Sequence, residues 1–230
     1  MRKTFDQQLE QLGAELTRMG ALCETAIASA AQALKNSDVE LARQAIAADA
    51  EIDQAERDIE RLCLKLLLQQ QPVARDLRQI SSALKMITDM ERIGDQAADI
   101  SEIVRHISKE RFSVELYHIG TMAQATSSMV TRSVEAYVQR DLELAKAVIL
   151  SDDEVDGLFN EVKAELIQMI AENPGCGEQA LDFLMIAKYL ERIGDHATNI
   201  AEWVEFSILG RHPENDPEEP VENRQAPSER

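Results

Sequence analysis

Residues 91–95 read Glu-Arg-Ile-Gly-Asp, and residues 191–195 read the same five amino acids. A second matched pair precedes them: Asp-Ala-Glu-Ile-Asp at 49–53 and Asp-Asp-Glu-Val-Asp at 152–156, at an offset of 103 residues. Identical or near-identical segments at a nearly constant offset indicate an internal duplication. We therefore predict two structural repeats, each of which contains one copy of both segments.

The composition predicts long helices. The chain has 230 residues, of which 44% are hydrophobic, and it contains only 9 glycines and 6 prolines. Four of the prolines lie in the last 20 residues, so the rest of the chain has few residues that break helices. Apolar residues near the N-terminus alternate spacings of four and three, which is the pattern of a helix with one buried face; they include Phe5, Leu9, Leu12, Leu16 and Met19.

The fold class that follows is all-α, with two tandem repeated three-helix bundles made of six long antiparallel helices. We place the bundles at residues 4–109 and 113–209, because short connections make consecutive helices antiparallel. Residues 211–230, rich in Pro and Glu, are expected to form a disordered acidic tail. The boundary signals are a capping box at residues 37–40, Pro72 in the first turn of the third helix, a cap at Ser113, a turn at residues 173–175 and an end near Gly210.

The charge and the cysteines restrict the function. A formal net charge of −18 disfavours binding to nucleic acid or to an anionic membrane surface, since both require a basic surface. The three cysteines lack the spacing of a metal site, and Cys23 and Cys63 fit the apolar periodicity as core residues of a reduced compartment. We find no apolar signal region and no run of 18 apolar residues. The expected location is the cytoplasm, without membrane insertion.

The repeated segments predict two clusters of carboxylates. Acidic residues at i and i+4 share one face of a helix. Asp53 and Glu91 each lie 19 residues from Pro72, and the corresponding separations from Pro174 in the second repeat are 18 and 17 residues. In an antiparallel hairpin these positions come level. We predict one cluster of Asp49, Asp53, Glu91 and Asp95, and a second of Asp152, Asp156, Glu191 and Asp195.

Clustered carboxylates have two interpretations. An acidic pair on a helix is usually a solvated face. Glu91 and Glu191, however, continue the apolar stripes of their helices, and four converging carboxylates repel one another unless cations neutralise them. An all-oxygen ligand set suits magnesium, manganese, calcium or iron. Asp99 extends the first cluster, whereas Asn199 stands at the matched position, so the two clusters need not bind equal numbers of ions.

Over residues 4–209 the chain resembles the PhoU family of phosphate-transport regulators. The resemblance rests on the duplicated three-helix unit, both Glu-Arg-Ile-Gly-Asp segments, the acidic pairs on the preceding helices and the turn at Gln71-Pro72. It implies two bundles side by side, a homodimer, and multinuclear metal sites whose metal (iron, manganese or magnesium) it leaves open. The ligands that it implies are Asp49, Asp53, Glu91, Asp95 and Asp99 in the first repeat, and Asp152, Asp156, Glu191 and Asp195 in the second.

The resemblance also implies a role without catalysis. Members of this family link the ATPase subunit of a phosphate ABC transporter to the sensor histidine kinase of the phosphate-starvation response. They keep uptake and signalling low when phosphate is plentiful. A protein of this kind is cytoplasmic, and its partners recruit it to the inner face of the membrane.

Two alternatives stay open at this point. Carboxylate-bridged di-metal enzymes also use helical bundles, but their sites contain Glu-x-x-His motifs, and the residues three positions beyond Glu91 and Glu191 are glycines. His196 follows Asp195, but Gln96 stands at the matched position, so this histidine is expected to be structural or exposed. The other alternative is a purely structural helical scaffold with acidic surfaces.

Overall fold

The computed structural model describes residues 2–70, 72–107 and 117–211. These residues form helices and their connections, with no strand among them, which confirms the all-α prediction. The predicted cap at Ser113, Gln71 of the predicted turn and the tail beyond residue 211 lie outside the described residues. The helices are α1 (Arg2–Asn36), α2 (Val39–Gln70), α3 (Ala74–Ile107), α4 (Tyr117–Gln139), α5 (Leu142–Leu150), α6 (Asp152–Glu172) and α7 (Gly177–Leu209).

The two predicted repeats are present. Helices α1, α2 and α3 contact one another as one three-helix unit, and α4, α5–α6 and α7 form the other. The units lie side by side, since α3 packs along α7 and α1 packs along α4. The fold class is thus confirmed, and the segments 91–95 and 191–195 lie on the two helices, α3 and α7, that join the repeats.

The fifth predicted helix differs from the prediction, because it consists of two segments that meet at Ser151. The Ser151 N–H donates to the carbonyl of Val148 at 2.9 Å, and the Glu154 N–H donates to the carbonyl of Ser151 at 3.2 Å. These i to i−3 bonds locally replace the α-helical pattern. The break makes Asp152 the first residue of α6, whereas its counterpart Asp49 lies in the middle of α2.

The turns that start α2 and α5 repeat each other in detail. Asp38 Oδ1 accepts hydrogen bonds from the N–H groups of Glu40 and Leu41, each at 3.0 Å. Asp141 Oδ1 caps α5 in the same way. The preceding residues, Ser37 and Arg140, have positive φ values of 53° and 57°. The prediction that residues 37–40 form a capping box that begins at Ser37 was therefore wrong by one position: the cap is Asp38.

One continuous apolar core runs through both repeats. The predicted core cysteines, Cys23 and Cys63, are fully buried in it. Burial raises the pKa of both thiols to about 12, so they are neutral and act as small apolar side chains. The third helix begins at Ala74, so Pro72 lies before it and not in its first turn.

Candidate metal centre

The first carboxylate cluster lies between α2 and α3. Asp49 reaches the backbone of α3, since a Cβ placed on Gly94 would lie 2.8 Å from Asp49 Oδ1. That oxygen is buried and has no hydrogen-bond partner. Burial is the largest cause that raises the pKa of Asp49 to about 6, and the other causes are the negative charges of Asp95, Asp53, Glu91 and Asp99, in that order. All five predicted residues of this set are therefore electrostatic neighbours.

Arginines contact the outer side of this cluster. Arg92 Nη1 lies 3.1 Å from Asp95 Oδ2, and Arg92 Nε lies 3.5 Å from Glu91 Oε2. Burial and the charge of Asp95 nevertheless raise the pKa of Glu91. Arg57 similarly lies 3.4 Å from Asp53. About half of each arginine side chain is exposed, so these ion pairs neutralise the cluster incompletely.

The second cluster lies between α6 and α7. Asp152 faces Gly194, where an added Cβ would lie 3.4 Å from Asp152 Oδ1. Burial, followed by the charges of Asp195 and Asp156, raises the pKa of Asp152 to about 6, and the neighbouring Thr198 partly offsets that rise. Burial and the charge of Glu191 raise the pKa of both Asp156 and Asp195. The four predicted residues of the second set also come together.

The fifth predicted residue, Asp99, points toward the other repeat. Burial raises the pKa of its carboxylate, and the neighbouring Tyr189 of α7 partly offsets that rise. Asn199, at the matched position, donates from Nδ2 to Asp89 Oδ1 at 3.2 Å, and His196 Nδ1 lies 2.9 Å from the same oxygen. Asn199 and His196 thus join α7 to α3, which gives His196 the structural role expected of it.

Sequence reasoning missed two charged neighbours of the clusters. Glu56 lies beside the first cluster, because its charge contributes to the raised pKa of Glu91. Lys188 forms an ion pair with Glu191 in the second cluster. Both could have been found from the spacing, because Glu56 follows Asp53 by three residues and Lys188 precedes Glu191 by three.

The donor set fits a hard divalent cation. Every predicted ligand is a carboxylate, and one buried oxygen, Asp49 Oδ1, lacks any partner. Among residues 2–70, 72–107 and 117–211, no three Asp, Glu, His or Cys side chains are arranged as a formed metal site. The carboxylates are thus neighbours whose oxygens do not converge on a single point.

The fold and the site together define a duplicated helical-bundle protein with one carboxylate cluster in each repeat. A family model, the PhoU domain, matches residues 16–104 and 119–204, one match in each repeat. The chain belongs to the PhoU family.

Similar proteins support this assignment over nearly the whole chain. A Clostridium acetobutylicum protein named "Phosphate-specific transport system accessory protein PhoU homolog" is 38% identical, covering 91% of this chain and 96% of that protein. The crystal structure of PhoU from Pseudomonas aeruginosa has a TM-score of 0.84 at 34% identity and covers 90% of this chain and 100% of that one. The crystal structure of the phosphate transport system regulatory protein PhoU from Streptococcus pneumoniae has a TM-score of 0.83 at 26% identity. It covers 90% of this chain and 98% of that one.

In the part of the chain that the structure describes, none of the helices combines the length and the apolar character needed to cross a membrane.

Proposed function

We propose that this protein is an accessory protein of phosphate-specific transport that works as a metal-binding cytoplasmic adaptor. In this proposal it restrains phosphate uptake and phosphate-starvation signalling, and it links the ATPase subunit of the phosphate ABC transporter to the sensor histidine kinase. The names of the C. acetobutylicum and S. pneumoniae relatives support the transport and regulatory parts. A role without catalysis agrees with the word "accessory" in the first of these names.

The observation that carries the metal part is found in both repeats: an aspartate of one helix approaches a glycine of the next, and the other acidic side chains lie beside it. Asp49 faces Gly94 in the first repeat, and Asp152 faces Gly194 in the second. Burial, followed by the negative charges of the neighbouring carboxylates, raises the pKa of both aspartates to about 6, so a cation held there would stabilise their charged forms. Iron, manganese or magnesium would supply that cation. The residues that would hold the ions are Asp49, Asp53, Glu91, Asp95 and Asp99, and Asp152, Asp156, Glu191 and Asp195.

Exposed apolar side chains support the adaptor part. Near the turn between α2 and α3, Leu64, Leu68, Val73 and Leu77 are 47% to 84% exposed. Near the turn between α6 and α7, Ile167, Leu181 and Met185 are 45% to 63% exposed. Grouped apolar side chains on an acidic, water-facing protein are typical of surfaces that bind partners. We assign these two surfaces to binding of the transporter ATPase, the kinase or the second subunit of a homodimer. Binding to the membrane-associated partners would recruit the protein to the inner face of the membrane.

Elemental analysis tests the metal part. Protein purified without chelator is compared with the variant Glu91→Ala, Asp95→Ala, Glu191→Ala, Asp195→Ala. We expect iron, manganese or magnesium at stoichiometric levels in the unaltered protein and its loss from the variant. The control replaces acids that lie outside both clusters, Glu40→Ala and Glu143→Ala, whose side chains are 68% and 84% exposed. Equal metal content in all three proteins would refute metal binding at these sites.

A binding experiment tests the adaptor part. The purified transporter ATPase and the kinase are each tested for retention by this protein, and a phosphate-responsive reporter is measured in cells. We expect binding to both partners, and reporter expression that no longer falls in high phosphate when the protein is deleted. If the four-alanine variant has lost its metal but still binds and represses normally, the purely structural interpretation of the acids is correct.

A further inference from the structure

The two carboxylate clusters differ at the end that faces the α2–α3 and α6–α7 turns. In the first repeat, Glu56 and Glu60 continue the acidic face of α2, and Thr88 lies on α3. The residues at the matched positions, 103 and 100 residues further on, are Phe159, Lys163 and Lys188. At these three positions the second repeat is less negative than the first by four formal charges. The divergence replaces two glutamates and a threonine by a phenylalanine and two lysines.

These three side chains form a defined group in the structure. The ring centroid of Phe159 lies 5.7 Å from Lys188 Nζ and 6.0 Å from Lys163 Nζ. Phe159 itself is partly buried against the apolar core. Since the face of an aromatic ring attracts a cation, the ring holds the two ammonium groups near the end of the cluster. Lys188 is therefore positioned by α6 as well as by its own helix.

Lys188 also contacts the cluster directly. It forms an ion pair with Glu191, a predicted ligand whose side chain is only 16% exposed. Burial and the charge of Glu191 raise the pKa of two further predicted ligands, Asp156 and Asp195, and the positive charge of Lys188 partly offsets that rise. A single ammonium group thus opposes the negative charge of three of the four carboxylates.

The other charges near the two clusters do not cancel this difference. Arg92, which pairs with Asp95, has a counterpart of the same charge in Arg192, and Arg57, which pairs with Asp53, stands where the second repeat has Asn160, so the arginines offset only one of the four charges. The second cluster gains one acid, Asp153, at the position of Ala50, and Asp153 is exposed. The first cluster additionally has Asp99 where the second has Asn199.

We propose that Lys188 is a fixed counter-ion that lowers the affinity of the second cluster for divalent cations, so that the first cluster binds its ion more tightly. This inference rests on the metal part of the proposed function. A divalent ion and the Lys188 ammonium group compete for the carboxylate of Glu191, and they repel each other at that distance. The two repeats would then serve as a tight site and a weak site in one chain.

Calorimetric titration of the metal-free full-length protein with Mn²⁺ alone tests the inference. The first pair of variants, Glu91→Gln and Glu191→Gln, assigns each binding step to a cluster. The second pair exchanges the matched residues: Lys188→Thr in the second repeat and Thr88→Lys in the first. Lys188→Gln provides a second neutral substitution, and circular dichroism verifies the fold of every variant.

The control variant is Lys146→Thr. Lys146 pairs with Glu143 three residues before it, as Lys188 pairs with a glutamate three residues after it, and the two lysine side chains are 48% and 47% exposed. The control therefore removes the same charge from a similar ion pair that involves none of the predicted ligands. Any effect of net charge alone appears in both variants.

We expect Glu91→Gln to remove the tighter Mn²⁺ binding step and Glu191→Gln to leave it in place. Lys188→Thr and Lys188→Gln should each raise the affinity of the weaker step by roughly tenfold, with Thr88→Lys lowering that of the tighter step similarly. Equal affinities of the two clusters, or no change on replacing Lys188, would overturn the inference while leaving metal binding established. If the unaltered protein binds no Mn²⁺, the inference is overturned, and the elemental analysis described above decides the metal part of the proposed function.

Discussion

Asp49 of α2 lies directly over Gly94 of α3, so close that an added Cβ would be 2.8 Å from its Oδ1 and 2.9 Å from Ile52 Cδ1. The matched pair, Asp152 over Gly194, leaves an ordinary contact distance of 3.4 Å. Close packing therefore requires a glycine at position 94 in the first repeat but not at position 194 in the second.

We expect Gly94→Ala and Gly194→Ala to differ in stability. Both substitutions gain about 1 kcal/mol of helix propensity. In the first repeat the new methyl group must displace Asp49 and the buried Ile52, which offsets that gain at a cost of about 1–3 kcal/mol. Urea unfolding of the metal-free proteins should show Gly194→Ala as the more stable of the two. Equal midpoints would show that Asp49 and Ile52 move aside without cost.

The stability of the metal-free protein should fall as the pH rises. Asp49 and Asp152 have pKa values of about 6 in the folded protein, above the ordinary value of 3.8. Folding therefore favours their protonated forms. This stabilisation is complete below the ordinary value and is lost as the pH rises through about 6. The double variant Asp49→Asn, Asp152→Asn should show a smaller change in urea midpoint between about pH 5 and pH 7.5. A midpoint that rises over this interval in the unaltered protein would contradict the expectation.

Metal binding should show the opposite dependence on pH. Carboxylates bind a cation only when they are deprotonated, so Mn²⁺ affinity should decrease as the pH falls below about 6. Calorimetric titrations at several pH values measure this directly. Affinity that is constant across this interval would exclude Asp49 and Asp152 as ligands.

Replacing Asp89 should loosen the junction between the repeats. Asp89 Oδ1 accepts from Asn199 at 3.2 Å and lies 2.9 Å from His196 Nδ1, and the Asp89 and His196 side chains are only 16% and 19% exposed. We expect Asp89→Asn to destabilise the protein by about 1–3 kcal/mol, since hydrogen bonds to a charged group are lost from a mostly buried position. Urea unfolding gives the value. The exposed control Glu143→Gln should change it by less than about 0.5 kcal/mol.

Asn199→Asp, which gives the second cluster the acid that the first has at Asp99, should not by itself raise the Mn²⁺ affinity of the second cluster. Asn199→Asp would place a carboxylate against Asp89 in place of the present hydrogen bond of 3.2 Å. We expect lower stability and no gain in Mn²⁺ affinity, because the new charge repels Asp89. The double variant Asn199→Asp, Asp89→Asn removes that repulsion and should recover stability. A large rise in affinity from the single substitution would show that residue 199 faces the ligands instead.

The sequence was sufficient for the helix pairs but not for the contacts between repeats. The nearly constant offset between the repeated segments identifies the equivalent helices of the two repeats. The numbers of residues to Pro72 and to Pro174 then predict which positions of α2 and α3, and of α6 and α7, lie side by side. The contact between Asp89 and His196 joins two positions that the duplication does not relate to each other. No pattern in the sequence therefore predicts this contact. Metal occupancy of the clusters is still a prediction.

Two local details of the helices, the cap of α2 and the break at Ser151, were not predicted correctly from the sequence. Ser37 and Asp38 are both good helix caps, and only the backbone conformation, with a φ of 53° at Ser37, decides in favour of Asp38. At Ser151 neither glycine nor proline marks the break. Its side chain donates to the carbonyl of Ala147 at 2.7 Å, and Arg132 Nη1 donates to its Oγ at 3.3 Å. These contacts, which no local pattern reveals, accompany the division of the helix.

The division at Ser151 gives the second repeat a joint that the first repeat lacks. Asp152 and Asp156 belong to a helix of 21 residues that begins at this break, whereas Asp49 and Asp53 lie within one unbroken helix of 32 residues. A shift of α6 towards a cation would therefore not have to move α5 with it. In the first repeat, a shift of the segment that holds Asp49 and Asp53 would bend α2 or move the whole helix.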